Sequence, residues 1–148
     1  MLRDAADADS SFLRRLYLDA HPEFAALPPG QLDAIVDLQL TAQRSQYERD
    51  HPSARDRIIE VAAEPVGRCW TAETPEEIRL LDLAVVAAAR GRGVATAVLG
   101  ELCGHASASG RTVRLAVWTG NLAARRLYER AGFRPEGEDG GYLALRWG

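Results

Sequence analysis

Residues 90 to 93 read Arg-Gly-Arg-Gly, and this short glycine-rich segment has the clearest potential chemistry in the sequence. It follows a strand-like apolar run and precedes a helical pattern in which Val94, Val98 and Leu102 recur every four residues. Glycine lacks a Cβ atom, so this backbone can approach a ligand closely, and the first N–H groups of the helix stay free to donate to it. Such donors, at the positive end of a helix dipole, favour phosphate oxygens. The segment therefore predicts a phosphate-binding loop over residues 90 to 96.

Three kinds of phosphate-binding loop compete for this segment. A P-loop ends its glycine-rich turn with a lysine, and the chain contains no lysine. A dinucleotide-binding loop is followed about 20 residues later by an acidic residue, but the next strand-like stretch, Val113 to Trp118, carries no acid. The remaining pattern is (Gln/Arg)-x-x-Gly-x-(Gly/Ala), which is met by Arg90, Gly93 and Ala95.

A second pattern follows at residues 121 to 133. It reads Asn-x-x-Ala-x-x-x-Tyr-x-x-x-Gly-Phe and is formed by Asn121, Ala124, Tyr128, Gly132 and Phe133. Asn121 suits a helix N-cap and Gly132 a left-handed C-terminal cap. In this order and spacing, the two patterns resemble the two signatures of the acetyl-CoA-dependent N-acetyltransferase superfamily known as GNAT. The resemblance covers residues 77 to 147.

The resemblance implies a fold of the α/β (α+β) class, built on a central mixed, mostly antiparallel sheet of about six or seven strands. About four helices flank that sheet, and it splays between strands 4 and 5. In the family, the strand matching Leu81 to Val85 bulges away from the strand matching Thr112 to Trp118. The pantetheine arm of the cofactor then pairs with the exposed strand edge.

The implied cosubstrate is acetyl-CoA. Its diphosphate would rest on the main-chain N–H groups of the loop, and Asn121 would hold it from the other side while also capping a helix. The resemblance assigns cofactor binding to Leu83, Ala84, Val85, Arg90, Gly91, Arg92, Gly93, Val94, Ala95, Thr96, Asn121 and Tyr128.

Acyl transfer to an amine requires an uncharged amine, a stabilised oxyanion and a proton for the leaving thiolate. A backbone N–H freed by the bulge near Ala84 or Val85 is the expected oxyanion donor. Tyr128 is the expected acid, because a phenol of pKa near ~10 can protonate a thiolate of pKa near ~8.5 when the two are adjacent. The helical period alone would instead make Tyr128 a core aromatic.

Asp82 is the candidate base, because it interrupts an apolar strand where burial raises a carboxyl pKa. Strand alternation places it on the same face as Leu80 and Ala84. The alternative is an ion pair with Arg79 or Arg114, and the sequence does not decide between the two. Weaker candidates for the base are Glu60, Glu73 and Glu77.

The N-terminal half carries helices and hairpin strands but no motif. We expect strands over residues 57 to 62 and 66 to 72, joined by a turn at Glu64-Pro65. Trp70 and Trp118 lie near strand ends and are expected in the core rather than in an acceptor pocket. The acceptor groove is expected near Gln39, Gln43, Tyr47 and the turn at residues 136 to 141.

Length and composition limit the remaining possibilities. A chain of 148 residues with 47% apolar and 26% charged residues fits one domain over residues 1 to 148. A net charge of −3 without a basic block disfavours nucleic acid as a partner. We expect a cytoplasmic protein without membrane segment or secretory signal. The two Cys and three His are too scattered to predict a metal site.

The sequence thus predicts an enzyme that moves the acetyl group of acetyl-CoA to a primary amine of a small molecule or a peptide. A catalytically silent, CoA-binding regulatory domain is the alternative, and a pure interaction module is a third hypothesis. A homodimer is plausible, and the acceptor stays open.

Overall fold

The computed structural model describes residues 1 to 148 and contains one seven-stranded sheet with four α-helices. The strands, in chain order, are β1 (Leu2–Asp4), β2 (Arg55–Val61), β3 (Glu64–Glu73), β4 (Glu77–Val85), β5 (Thr112–Trp118), β6 (Arg134–Asp139) and β7 (Tyr142–Trp147). The helices are α1 (Ser10–Ala20), α2 (Pro29–Asp50), α3 (Val94–Ala108) and α4 (Leu122–Arg130). The spatial order is β1-β2-β3-β4-β5-β7-β6, and only β4 and β5 pair in parallel. The predicted mixed, mostly antiparallel sheet is confirmed.

The larger hydrophobic core lies where α3 and α4 pack on one face of the sheet. Alternate β5 residues, Val113, Leu115 and Val117, are buried there against the apolar side of α3. Their spacing of two matches the strand period, and α3 contributes residues at helical spacing. None of the helices combines the length and the apolar character needed to cross a membrane.

The opposite face of the sheet is only half covered. There α1 and α2 pack over β2 to β4, with a smaller core that includes Leu13, Leu16 and Ile58. Beyond β4 no helix covers this face, and Trp118 and Tyr142, which are cross-strand partners, are 59% and 54% exposed. The expectation that Trp118 fills the core is therefore wrong, whereas Trp70 is buried as expected.

β4 and β5 pair only over their first half. The parallel register runs from Glu77 opposite Thr112 to Leu80 opposite Leu115 and then stops. Past this point β4 stays paired with β3, while β5 stays paired with β7, so a gap opens between the two central strands. The predicted splaying between strands 4 and 5 is confirmed.

The hairpin between β2 and β3 turns two residues earlier than the sequence indicated. Ala62 and Ala63 form the turn with φ of 52° and 66°. A two-residue hairpin of this type needs positive φ at both central positions, whereas proline fixes φ near −65°. Pro65 lies instead in β3, opposite Glu60 at an irregularity of the register. The expected turn at Glu64-Pro65 is therefore wrong.

Candidate active site

Residues 91 to 96 present a run of free main-chain donors. Gly91 and Gly93 have φ of 75° and 77°, which turns the chain sharply into the N-terminus of α3. The first bond of the helix is Ala97 N–H to the Gly93 carbonyl at 3.0 Å, and no N–H group from 91 to 96 donates to an acceptor of the protein. These donors lie at the positive end of a 15-residue helix. The arrangement can hold an anion such as a diphosphate.

An open cleft of about 460 Å³ lies in front of these donors. Its far wall is the first half of α4, where Ala123 and Ala124 leave space because their side chains are small. Val85 closes the side next to β4, and Arg130 adds a positive charge on α4. The cleft therefore joins the two sequence patterns into one site, although they lie about 30 residues apart in the sequence.

The edge of β4 in the gap carries unpaired backbone groups. Val86 donates to the Val66 carbonyl at 2.8 Å. Because hydrogen-bonded pairs recur at every second residue of an antiparallel ladder, Ala84 also bonds to β3, whereas Leu83 and Val85 turn their N–H groups toward the gap. The gap is therefore lined by an open strand edge that can pair with an extended ligand.

Arg90 does not extend its side chain toward the loop amides. Its Nε donates to the Val85 carbonyl at 3.0 Å, and its Nη2 donates to the Asp19 carbonyl in α1 at 3.4 Å. The Asp19 carboxylate also accepts from Ala87 N–H at 2.8 Å, in the short 3-10 helix Ala87–Ala89 that follows β4. Arg90 and Asp19 thus fix the path from β4 into the loop.

Tyr128 lies in the larger core near the gap, with 8% of its surface exposed. Its ring packs edge-on against Phe133, with 5.7 Å between the ring centroids. Burial raises the pKa of the phenol well above its ordinary value, and nearby Asp82 and Cys69 raise it further. No protein group accepts from its hydroxyl. At neutral pH Tyr128 is therefore a proton donor without a partner in the protein.

A β-bulge at Leu81 determines where Asp82 points. Leu80 lies opposite Thr71 and Asp82 lies opposite Trp70, so Leu81 is an extra residue. The extra residue reverses the alternation, and Asp82 and Ala84 face the α1 and α2 side, whereas Leu80 faces the larger core. The expectation that Asp82 shares a face with Leu80 is wrong, because a simple period of two assumes no bulge. The bulge also lies at Leu81 and not near Ala84 or Val85, and of these two only Val85 directs its N–H to the gap.

The Asp82 carboxyl is half-buried and has no ion-pair partner. Burial raises its pKa, which the Arg68 charge partly lowers and the Asp56 charge raises again. Neither alternative partner reaches it, because Arg114 instead pairs with Glu136 and Arg79 forms no ion pair. A cavity of about 80 Å³ between α1, α2 and β4 opens onto this carboxyl and is also lined by Tyr17, His21 and Gln43.

Arg68 lies beside Asp82 but is bound elsewhere. It forms two hydrogen bonds with Asp56 at 2.7 Å and 2.6 Å and stacks over the Trp70 ring, with its Cζ 4.1 Å from the centroid. With only 3% of its surface exposed, Arg68 cannot swing out to meet another carboxylate. Because Asp56 already neutralises the Arg68 charge, Asp82 lies near this arginine without forming an ion pair with it.

Tyr47 holds the bulge from the α2 side. Its hydroxyl donates to the Leu81 carbonyl at 3.0 Å, and its ring meets Trp70 edge-on with 4.6 Å between the centroids. The sequence placed Tyr47 on a wall of the acceptor groove, next to Gln43, but gave no sign of the bond to the bulge. The two residues joined by this bond are 34 positions apart in the sequence, so no local sequence pattern could indicate it.

The structure brings together some predicted site residues and separates others. The cleft is lined by Val85, Arg90, Gly91, Gly93, Val94, Ala95 and Thr96. It is not lined by Leu83, Ala84, Arg92, Asn121 or Tyr128; Leu83 borders the gap, and Asn121 caps α4 by accepting from Ala124 N–H at 3.2 Å. Sequence reasoning missed Arg130 and Ala123, whose place on α4 beside the loop depends on the docking of two helices.

The remaining candidate groups are bound in structural contacts or buried. Glu60 pairs with Arg3 and Glu73 with Arg111, at 3.0 Å and 2.8 Å. Burial raises the pKa of the Cys69 thiol to about 11, so this thiol is protonated at neutral pH. No three His, Cys, Asp or Glu side chains cluster in a way that could hold a metal ion.

Comparisons with known proteins identify the family and the fold. The model of the acetyltransferase (GNAT) family matches residues 12 to 133. No curated protein sequence matches the chain. Among solved structures, PaiA N-acetyltransferase from Thermoplasma acidophilum in complex with coenzyme A is 13% identical, with a TM-score of 0.70 over 99% of this chain and 96% of that one.

Two further structures share the fold. Ribosomal-protein-alanine N-acetyltransferase from Brucella melitensis is 22% identical, with a TM-score of 0.66 over 99% of this chain and 98% of that one. Arabidopsis thaliana Naa50, in complex with the bisubstrate analogue CoA-Ac-MVNAL, is 16% identical, with a TM-score of 0.67 over 100% of this chain and 97% of that one. Since the family model spans most of the chain, from residue 12 to residue 133, the chain belongs to the acetyltransferase (GNAT) family of acyltransferases.

Proposed function

We propose that this acyltransferase moves the acetyl group of acetyl-CoA to a primary amine, and that residues 1 to 148 act as a single domain. The observation that carries this proposal is the run of free N–H donors at residues 91 to 96, which opens beside an unpaired strand edge. A diphosphate on the loop and a pantetheine arm along Leu83 and Val85 would aim the thioester into the gap. Structural relatives solved with coenzyme A or a CoA-peptide analogue support this choice of cosubstrate.

The two sides of the gap have different chemical tasks. Tyr128 lies on the α3 and α4 side, where the thiolate would leave, and Asp82 faces the α1 and α2 side, from which an amine can approach. The amine nitrogen attacks the thioester carbonyl carbon, the C–N bond forms and the C–S bond breaks. Asp82 accepts the proton lost by the amine, directly or through a water, and Tyr128 donates its proton to the thiolate. The Val85 N–H can stabilise the oxyanion.

Burial supports both assignments. A raised pKa makes the Asp82 carboxylate a stronger base than an exposed aspartate, and a raised phenol pKa keeps Tyr128 protonated until the thiolate forms. Exchange with solvent then returns a proton to Tyr128 and removes one from Asp82. No metal is needed in this sequence of steps.

The test is to mix the protein with acetyl-CoA and a panel of primary amines and peptides while following free thiol. Release that depends on the amine, with an acetylated product seen by mass spectrometry, is the expected result. Binding of acetyl-CoA in calorimetry without release for any acceptor would favour the regulatory CoA-binding domain. An absence of binding would favour an interaction module.

A further inference from the structure

Four arginines form a row across β4, β5, β7 and β6, on the face of the sheet that no helix covers beyond β4. Arg79 on β4 lies opposite Arg114 on β5, Arg114 opposite Arg146 on β7, and Arg146 opposite Arg134 on β6. Residues in register point to the same side of a sheet, and this side is opposite to the buried Leu80, Leu115 and Leu145. With strands about 4.8 Å apart, the row spans about 14 Å.

This arginine row lowers the stability of the sheet when no ligand is bound. Like charges directly opposite each other in a sheet destabilise it, and the row contains three such pairs in succession. Glu136 is the one carboxylate that pairs with members of the row, at 3.2 Å from Arg114 and 3.9 Å from Arg146. Arg79 and Arg134 have no hydrogen-bond or ion-pair partner. Two guanidinium groups are therefore free to pair with an external anion.

The arginine row lies at a fixed distance from the gap. Arg79 precedes Leu83 by four residues, which is about 13 Å along a strand. Between the row and the aromatic pair Trp118 and Tyr142, the surface is formed by small residues, namely Ala116, Ala144 and Gly137. A chain could lie across this shallow floor with one end in the gap and an anionic group on the arginines.

We infer that the arginine row binds carboxylates of the acceptor, and that the acceptor is a peptide with acidic side chains three to five residues after its reactive amine. The inference rests on the proposed function. Arginine pairs with carboxylates through two parallel hydrogen bonds, so an Asp or Glu side chain fits this row. A nucleic acid fits less well, because the chain has a net charge of −3 and no basic block in its sequence that could follow a phosphate backbone.

The experiment measures peptide binding in the presence of CoA by fluorescence anisotropy, so it does not depend on turnover. Two peptides are compared that differ only in having Glu or Gln from the third residue onward. The variant Arg79→Thr/Arg134→Thr is compared with Arg49→Thr. Arg49 is exposed on α2, makes no ion pair and lies two positions from Tyr47, so it points away from the groove.

We expect the Glu peptide to bind the wild type at least about tenfold more tightly than the Gln peptide. The double variant should lose this preference, Arg49→Thr should keep it, and the melting temperature of the double variant should be unchanged or higher, because like charges have been removed. Equal binding of the two peptides, or equal loss in both variants, would overturn the inference. So would displacement of the Glu peptide by a short single-stranded RNA. Acetyl-CoA binding, measured separately, tests the proposed function itself.

Discussion

Tyr128 combines a buried ring with an unbonded hydroxyl. The sequence motif placed it correctly on α4, and the structure adds that its pKa is raised by burial first and then by nearby Asp82 and Cys69. Tyr128→Phe keeps the ring in the core and removes only the proton donor. We expect kcat to fall by about 10²-fold or more, with acetyl-CoA affinity and melting temperature unchanged. Steady-state kinetics and calorimetry measure these values, and an unchanged kcat on a good acceptor would remove Tyr128 from the mechanism.

Asp82 makes a pH-dependent prediction about stability. Because burial raises its pKa in the folded state, the folded chain holds this proton more tightly than the unfolded chain does. The protonated Asp82 carboxyl therefore contributes fully to folding stability below the ordinary carboxyl pKa. This contribution is lost as the pH rises through the raised pKa of the folded state. Asp82→Asn should raise the melting temperature at pH 7 and have little effect at pH 3. Thermal melts at both values check this, and destabilisation at pH 7 would contradict it.

The same residue predicts the acid side of the activity profile. As a base, Asp82 must be ionised, so kcat/KM should fall as the pH drops through its raised pKa. Asp82→Asn should lower kcat/KM and remove this acid limb. A variant that kept the wild-type profile would show that another group accepts the proton.

At the scale of elements, the loop between β4 and α3 depends on glycine conformation. Gly93→Ala forces a side chain into positive φ, at a cost of about 1–2 kcal/mol, and places a Cβ at the edge of the donor run. Gly110→Ala is the matched control, since Gly110 has φ of 68°, open space around it, and lies just after the opposite end of α3. Both variants should lose similar stability in denaturant melts, but only Gly93→Ala should weaken acetyl-CoA binding. Equal affinities for the two variants would exclude the loop as the diphosphate site.

The bulge of β4 predicts an effect of Tyr47. Tyr47→Phe leaves the Leu81 carbonyl without its partner, which should cost about 1–3 kcal/mol of unfolding free energy. Because the bulge orients Asp82, kcat should fall as well. Tyr17→Phe is the control, as the Tyr17 hydroxyl bonds to no protein group. Denaturant melts that show equal stability for both variants would mean that the bulge does not need this bond.

The elements also show where local patterns stop being informative. Helices and strands followed from hydrophobic period and capping residues, and Asn121 caps α4 as expected. Local patterns did not predict the bulge at Leu81 or the turn at Ala62 and Ala63. Neither contains a glycine or another residue whose type indicates a bulge or a positive φ. Both are imposed by pairing with β3, which a reading of single strands cannot include.

At the scale of the whole molecule, topology brings the two motifs together. The crossover from β4 through α3 to β5 places the loop beside α4, and the two central strands separate past Leu80 and Leu115. The mixed sheet and its splaying could be predicted because each motif belongs to a known structural context. The uncovered part of the opposite face could not be predicted, because it depends on how far α1 and α2 extend across the sheet.

A crystal structure of the protein with acetyl-CoA would test the central claim most directly. We predict diphosphate oxygens within about 3 Å of the N–H groups of residues 91 to 96, and the thioester sulfur within hydrogen-bond reach of the Tyr128 hydroxyl. A nucleotide bound elsewhere, or a thioester that lies far from Tyr128 while the loop stays free of phosphate, would contradict the account.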